Sequence, residues 1–423
     1  MSDQQVISGL YNPIFHTNWK KENLYSLATW NNGLAFKNIN FSDSGIPVIK
    51  ISEIKNGKSS QTKYTQGNYD LKYWLTNGDM LFCWSGQPET SIGTYWWRQG
   101  DGWLNQHIFK VHADEKNISQ KFLYQLLQYL RPTFVRIARN KQTTGLGHIT
   151  KQDLKQIFVG VPEIHEQRGI AATLGALDDK IESNRRIARL AEEIILAYFE
   201  KYFDISGQEN GIAISNLIAV NPKYRLKKGV EAIKISMADL PENSAIISTW
   251  NKEIVAGGQR FTNGDVLFAR ITPCLENGKT SIVDMLDDDS VGFGSTEFIV
   301  LSPKGNIKTA WIYAFARNKS VRTWAARNMT GTSGRQRFQA SFFDGYLISP
   351  PSEKMIENFN LIANPFTQKL TQIRDENLKL ESLRDALLPE LMSGRICVPE
   401  AQEAIAEVIP EEDDEHASKT SRG

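Results

Sequence analysis

Residues that could do covalent or metal chemistry are scarce in this chain. Its three cysteines, Cys83, Cys274 and Cys397, stand far apart, and its six histidines form no ligand spacing with them or with one another. No disulfide framework and no zinc site are expected from such a set. No apolar run reaches the ~20 residues that cross a bilayer. The stretch from Met1 to Thr17 lacks the basic-then-apolar order of a secretion signal, so the expected location is the cytosol. A Gly-Lys-Ser/Thr phosphate loop is missing as well. Gly145-Leu146-Gly147 and Gly292-Phe293-Gly294 lack the third glycine of a dinucleotide loop and read as turns. Asp287-Asp288-Asp289 is a single charge run, read as a solvated loop rather than a metal-binding carboxylate cluster.

What the 423 residues do contain is enough apolar material, 41% with 10% aromatic, for two or three domains with cores of their own. The net charge of +1 hides an uneven distribution. Residues 1–162 carry 18 Lys+Arg against 11 Asp+Glu, and residues 204–351 carry 17 against 14. The end of the chain, 396–423, carries 2 against 8 and masks that excess. Mildly basic blocks suit a polyanionic partner, although such a balance also arises by chance.

The chain also repeats itself. Val48-Ile49-Lys50-Ile51-Ser52 returns as Ala232-Ile233-Lys234-Ile235-Ser236. Thr76-Asn77-Gly78-Asp79-Met80-Leu81-Phe82 returns as Thr262-Asn263-Gly264-Asp265-Val266-Leu267-Phe268. Gln106-His107-Ile108 aligns with Thr296-Glu297-Phe298, and Thr143-Thr144-Gly145 with Thr332-Ser333-Gly334. A period this long is a duplicated half-molecule and not a solenoid. Each half reads as a mixed α/β block followed by a long helix. Pro47–Ile51, Met80–Trp84 and Val266–Ala269 are β-prone, with Asn-Gly turns before the last two. Residues 120–139 and 310–327 read as helical, and the blocks close on Pro162 and on Pro350-Pro351.

After Pro162, Ile170, Leu174, Leu177, Ile181, Ala188, Ala191, Ile195 and Tyr198 fall on steps of three, four and seven, a coiled-coil seam. Phe366, Leu370, Ile373, Leu380, Leu383 and Leu387 form a second. Asn184 interrupts one seam and Asn377 the other, which suits two helices fixing their register against each other. Partly exposed flank positions are the alternative. A segment of roughly 35 residues spans about 50 Å, long enough for a spacer. Antiparallel pairing of the two would give pseudo-twofold symmetry, the geometry of a reader of two half-sites.

The boundary Val161-Pro162-Glu163-Ile164-His165-Glu166-Gln167-Arg168-Gly169-Ile170-Ala171, followed by Leu177-Asp178-Asp179-Lys180-Ile181, resembles the first helix of type I restriction-modification specificity subunits. Leu383-Arg384-Asp385-Ala386-Leu387-Leu388-Pro389-Glu390-Leu391-Met392-Ser393-Gly394 resembles the close of that family's second helix. The second boundary departs from the pattern, with Ser352-Glu353-Lys354-Met355 where the Glu-Gln pair would stand. The resemblance implies an α/β fold: two similar target recognition domains separated by two long antiparallel coiled-coil helices. The expected segments are recognition domain 1–162, helix 163–203, recognition domain 204–351, helix 352–395 and an acidic, unstructured tail 396–423. It also implies a non-enzymatic chain that reads a bipartite double-stranded DNA target. Two methyltransferase subunits and motor-nuclease subunits would dock on it, and S-adenosylmethionine, ATP and Mg would belong to those partners. This chain itself would need no cofactor. Consistent with that, Asn12-Pro13, Asn221-Pro222 and Asn364-Pro365 all lack the second proline of an amino-methyltransferase loop.

Base readers should be long polar side chains on turns of the basic blocks. Arg335, Gln336 and Arg337 follow a Gly-rich turn; their counterparts are Lys141, Gln142, Thr143 and Thr144, with His148 beyond. A second pair of loops follows the repeated Gly-Asp strands and holds Trp84 and Gln87 in one half, Arg270 and Thr272 in the other. Each competes with a plain phosphate contact, since those outnumber base contacts. Seven of the ten tryptophans lie in the first block, where core packing competes with stacking on nucleotides. Two other classes stay open on sequence alone: a single-chain restriction or methylation enzyme with an unrecognised active site, and a coiled-coil adaptor that binds only protein.

Overall fold

The computed structural model describes residues 13–408 apart from 60, 143, 144, 206, 208, 209 and 333. The chain divides into two units, 1–179 with 381–423, and 180–380. Among the described residues no helix is long and apolar enough to cross a membrane.

The first unit is built on the buried run Met80–Cys83, which no polar residue interrupts. It is an inner strand of an antiparallel sheet in the order Ala28–Asn32, Ile108–Ala113, Met80–Cys83, Gly93–Trp96. A second sheet runs Tyr64–Thr65, Ile46–Ile49, Gly102–Leu104, Trp74–Leu75, and its central pair is parallel, with Val48 opposite Trp103. Ile49, Leu75, Leu81, Trp97, Leu104 and Ile108 form one buried cluster in this unit. The turn before Met80–Cys83 is closed by Asp79, which accepts from the Thr76 amide at 2.7 Å, and Gly78 sits at φ +95°. Only glycine takes that conformation without a steric cost.

The second unit repeats this plan. Ala219–Val220, Phe298–Ser302, Val266–Ala269 and Thr280–Ile282 form one sheet; Asn251–Ile254, Glu231–Ile235, Gly292–Gly294 and Gln259–Phe261 form the other, again with a parallel central pair. Asp265 closes the matching turn by accepting from the Thr262 amide at 2.9 Å, with Gly264 at φ +89°.

Several boundaries differ from the sequence reading. The first strand ends at Ile49 rather than Ile51, because Glu53 accepts from the Lys50 amide at 3.0 Å and opens a short helix, Ile51–Asn56. The helical segment at 120–139 is two helices, Gln120–Tyr129 and Arg131–Asn140, the second starting beside Pro132. Thr309–Arg317 and Lys319–Arg327 divide at Asn318, whose extended backbone breaks the helix while its side chain accepts from the Ser320 amide at 2.8 Å. The acidic end is folded as far as it is described. Val398–Val408 is a helix whose Glu400 accepts from the Cys397 amide at 2.7 Å, with Ala401 fully buried. The reading of 396–423 as unstructured therefore fails at 398–408, where small apolar residues give the segment a face to bury. Glu411 to Glu415 lie outside the described residues.

Two long helices, Ile164–Tyr202 and Glu353–Ser393, each contribute to both units. In the first unit Ile170, Leu174, Leu177, Leu387 and Leu391 are buried, and Arg384 pairs with Asp178 at 3.1 Å. In the second unit Ala188, Ala191, Ile195, Leu370 and Ile373 join its main core. Phe199 replaces Tyr198 as the buried residue there, as a 3.6-residue helix drifts from a 3.5-residue repeat. Asn184, only 3% exposed, donates to Asn377 Oδ1 at 3.0 Å and to Glu376 Oε2 at 2.9 Å. Within that unit, then, the two interrupting asparagines meet.

Replacing Asn184 alone by leucine removes both hydrogen bonds and leaves the half-buried Asn377 side chain without that partner, a loss of about 1 kcal/mol. The double variant N184L/N377L should recover much of that loss despite its additional substitution. Urea unfolding of both variants measures the difference; a double variant less stable than the single one would contradict the account.

Candidate nucleic-acid interface

In the first unit the buried strand Met80–Cys83 ends where the Trp84 amide donates to the His107 carbonyl at 3.1 Å. The Trp84 carbonyl then accepts from the Ile149 amide at 2.7 Å. Ser85-Gly86 pairs with Gly147-His148, Ser85 opposite His148. Glycine is required at 147, where a Cβ would lie 2.3 Å from the Ala138 carbonyl oxygen. The two loops singled out from sequence in this half are thus neighbours on one short antiparallel ladder.

The side chains there are mainly aromatic. The Trp84 ring stacks on Phe109 with centroids 5.7 Å apart, lies 5.2 Å from His107, and donates Nε1–H to Asn32 Oδ1 at 2.8 Å. His107 is a non-glycine residue at φ +77°, and burial holds its imidazole pKa below the ordinary value. Such backbone strain persists only where its surroundings enforce it. Gln87 precedes the short helix Pro88–Ser91 and accepts from Thr90 Oγ1 at 3.4 Å. Lys141 is committed to Asp153 at 2.5 Å, and Gln142 donates to the Gly145 carbonyl at 2.7 Å. Thr143 and Thr144 lie outside the described residues.

The second unit builds the same frame with other side chains. The Arg270 amide donates to the Glu297 carbonyl at 3.0 Å, and the Arg270 carbonyl accepts from the Phe338 amide at 2.8 Å. Thr272 donates its amide to the Gln336 carbonyl at 3.1 Å. Thr330 and Arg337 exchange both backbone hydrogen bonds, at 3.0 and 2.8 Å, and close a hairpin whose turn needs Gly331 at φ +122° and Gly334 at φ +79°.

Of the three residues of this hairpin read as base readers, Arg335 is exposed and its guanidinium has no ion pair among the described residues. Gln336 is held through its backbone. Arg337 is engaged: Nε lies 2.8 and 3.0 Å from the two carboxylate oxygens of Glu297, and Nη2 lies 2.8 Å from Oε1. Arg270 donates Nη2–H to Gln339 Oε1 at 2.8 Å, and its Nε is 3.9 Å from Glu297 Oε2. Glu297 was not among the candidates. Its signal was the repeat alignment, which set it opposite His107, two unlike polar residues inside an otherwise similar frame.

Residues 16–192 match the description "Type I restriction modification DNA specificity domain". The chain is 28% identical, over 45% of its length and 38% of the relative's, to the type I restriction enzyme EcoBI specificity subunit of Escherichia coli. Over residues 16–192 this chain is similar to the type I specificity subunits. It is 21% identical to the MjaIX specificity subunit of Methanocaldococcus jannaschii, over 74% of this chain and 90% of that one. Its fold is shared with the type I restriction-modification S subunit of M. genitalium, with a TM-score of 0.51 and 16% identity over 90% of this chain and 99% of that one. The chain spans between a quarter and two fifths of the length of the Escherichia coli specificity subunits it matches.

The remaining chemistry is sparse. Cys83 is buried, and burial pushes its thiol up to about 12, far from a reactive thiolate. Among the described residues no group of three or more His, Cys, Asp or Glu side chains is placed to hold a metal ion.

Lys141 is tied to the acid–base state of Asp153. Burial raises the Asp153 pKa, but hydrogen bonds from Lys141 and Thr150 outweigh it and leave the value below 3.8. The ionised carboxylate therefore contributes stability above pH 3.8, which is lost as pH falls through the lowered value. Asp153→Asn should lower the melting temperature at neutral pH, and the gap should close on acidification. A gap that widened in acid would contradict this assignment.

Proposed function

We propose that this chain is the DNA-recognition component of a type I restriction-modification complex and performs no catalysis itself. On this reading residues 1–162 and 204–351 are target recognition domains, each reading one half of a split site in double-stranded DNA. Residues 163–203 and 352–395 are spacer helices that set the unread gap, with Asn184 and Asn377 fixing their register. Two methyltransferase subunits dock on the chain and modify adenine with S-adenosylmethionine, and motor-nuclease subunits that use ATP and Mg join for cleavage. The protein works in the cytosol on the host genome.

The observation that carries this reading is the duplicated loop frame. Two loops meet at the end of the same buried strand in each unit, held by the same two backbone hydrogen bonds, while the side chains they carry differ. A conserved frame with exchanged side chains is what reading two different half-sites requires. Direct readout depends on side chains meeting base edges, whereas orientation depends on the backbone that carries them. Among the sequence-selected residues, Arg335, Arg337, Arg270, Thr272, Trp84, Gln87, Gln142 and His148 are assigned to the DNA-facing surface; Gln336 and Lys141 shape it.

The decisive measurement is base-resolved mapping of methylated adenine in the host genome with the gene intact and with it deleted. A split motif of fixed gap should be methylated with the gene and unmethylated without it. A methylation pattern unchanged by the deletion would reject the reading.

A further inference from the structure

The shared backbone frame permits a position-by-position comparison of the two units. Ile108 pairs with Cys83 and Phe298 with Ala269, so the residues just outside these pairs, His107 with Trp84 and Glu297 with Arg270, occupy matching places. The amide of Ile149 meets the Trp84 carbonyl as that of Phe338 meets the Arg270 carbonyl, which makes His148 the counterpart of Arg337. At three matching positions the first unit holds Trp, His and His, and the second holds Arg, Glu and Arg.

Their chemistry differs as sharply as their placement agrees. In the first unit Trp84 lies against His107 with ring centroids 5.2 Å apart. In the second, Glu297 grips Arg337 through Nε and Nη2 and stands 3.9 Å from Arg270. A guanidinium has five N–H donors in a rigid fork. With Nε and one Nη2 hydrogen turned to the carboxylate, the plane of Arg337 is set while its Nη1 edge remains. One Nη1 hydrogen reaches back to the Arg335 carbonyl at 3.3 Å, and the other is left over.

We propose that these three positions form one specificity cassette used twice, and that Glu297 is the positioning residue that aims Arg337 and Arg270 at base edges of the second half-site. Resting on the DNA-recognition reading above, the inference adds which residues set the difference between the halves. The second unit uses fixed guanidinium donors, which suit the two acceptors on the major-groove edge of guanine. The first unit presents indole and imidazole surfaces to a different base. The half-site read by the second unit therefore contains a G·C pair whose recognition depends on the charge of Glu297.

The test is selection of bound duplexes from a random-sequence pool by the full chain assembled with its methyltransferase partner. Four proteins are compared: wild type, Glu297→Gln, Glu297→Asp and His148→Ala. Glu297→Gln keeps the shape and removes the charge that holds Arg337. It should cut the preference for guanine at one position by about tenfold, in line with the worth of one directed contact, and leave the other half-site unchanged. That unchanged half, read in the same selected molecules, shows that the variant is folded. Glu297→Asp should restore part of the preference, and His148→Ala should alter only the half-site that Glu297→Gln spares. A wild-type chain that selects no split motif overturns the DNA-recognition reading and the cassette together. If wild type selects a split motif but Glu297→Gln matches it in both halves, or weakens both equally, the cassette alone falls.

Discussion

One backbone hydrogen bond, made twice, governs where everything else in the candidate interface can be. A buried apolar strand must end somewhere, and the carbonyl just beyond its end must find a donor or stand unpaired. At Trp84 the donor is the Ile149 amide, and at Arg270 it is the Phe338 amide. That one bond ties a loop next to the strand to a loop that follows two further helices in the chain. Once the bond is fixed, so is the meeting of both loops, whatever side chains they carry. Stability and recognition are thereby separated: the backbone answers to the core, and the side chains are free to answer to a ligand.

That separation explains which features of the molecule were visible from its residues. Thr76 to Phe82 and Thr262 to Phe268 are nearly identical because each must close a turn with an Asp and place a glycine at positive φ before a buried strand. Such local demands write themselves into sequence. The long helices were legible for a similar reason, since burying one face requires Ile170, Leu174 and Leu177 at regular spacing. The parallel pairing of Ile46–Ile49 with Gly102–Leu104 was not legible, because nothing near Val48 specifies a partner more than fifty residues away. The helix Val398–Val408 was hidden by composition: its acidic residues suggested solvent, whereas Val398 packs near Gly169 and Ala401 is buried. Glu297 was missed because a lone carboxylate has no pattern of its own; only the distant Arg337 gives it a role.

The long helices raise a related question of specificity against stability. A seam of leucines would pack Ile164–Tyr202 on Glu353–Ser393 in more than one register. On the proposed reading Asn184 and Asn377 restrict this, because sliding either helix by a turn would separate Asn184 from its two acceptors. In the second unit the helices are further held to the globular part by buried polar contacts. Glu192 accepts from Tyr313 Oη at 3.0 Å and from the Ala245 amide at 2.9 Å, and Arg374 pairs with Asp284. Polar groups buried in this way contribute little net stability, but any other arrangement would leave them unpaired.

Asp79 and Asp265 show how far the two halves have diverged beneath a common plan. Both close the same turn, and both must be kept from costing the core a bare charge. In the first unit Lys110, opposite Leu81 on the neighbouring strand, supplies a cation to Asp79 at 2.9 Å. In the second the residue opposite Leu267 is Val300, so no cation is available from that position. Tyr224 and Ser302 donate hydroxyl hydrogens to Asp265 instead, the tyrosine at 3.0 Å. Burial accordingly outweighs the hydrogen bonds at Asp265 and raises its pKa above 3.8. A raised carboxylate pKa favours the folded state in its protonated form, so this contribution declines as pH rises through 3.8 toward the folded value. Duplication kept the turn, whose geometry admits few residues, and let its charge balance drift, because neutralising a buried aspartate has more than one solution. The same freedom, acting on the loop residues at the end of the next strand, is what lets one backbone frame carry two unlike sets of side chains.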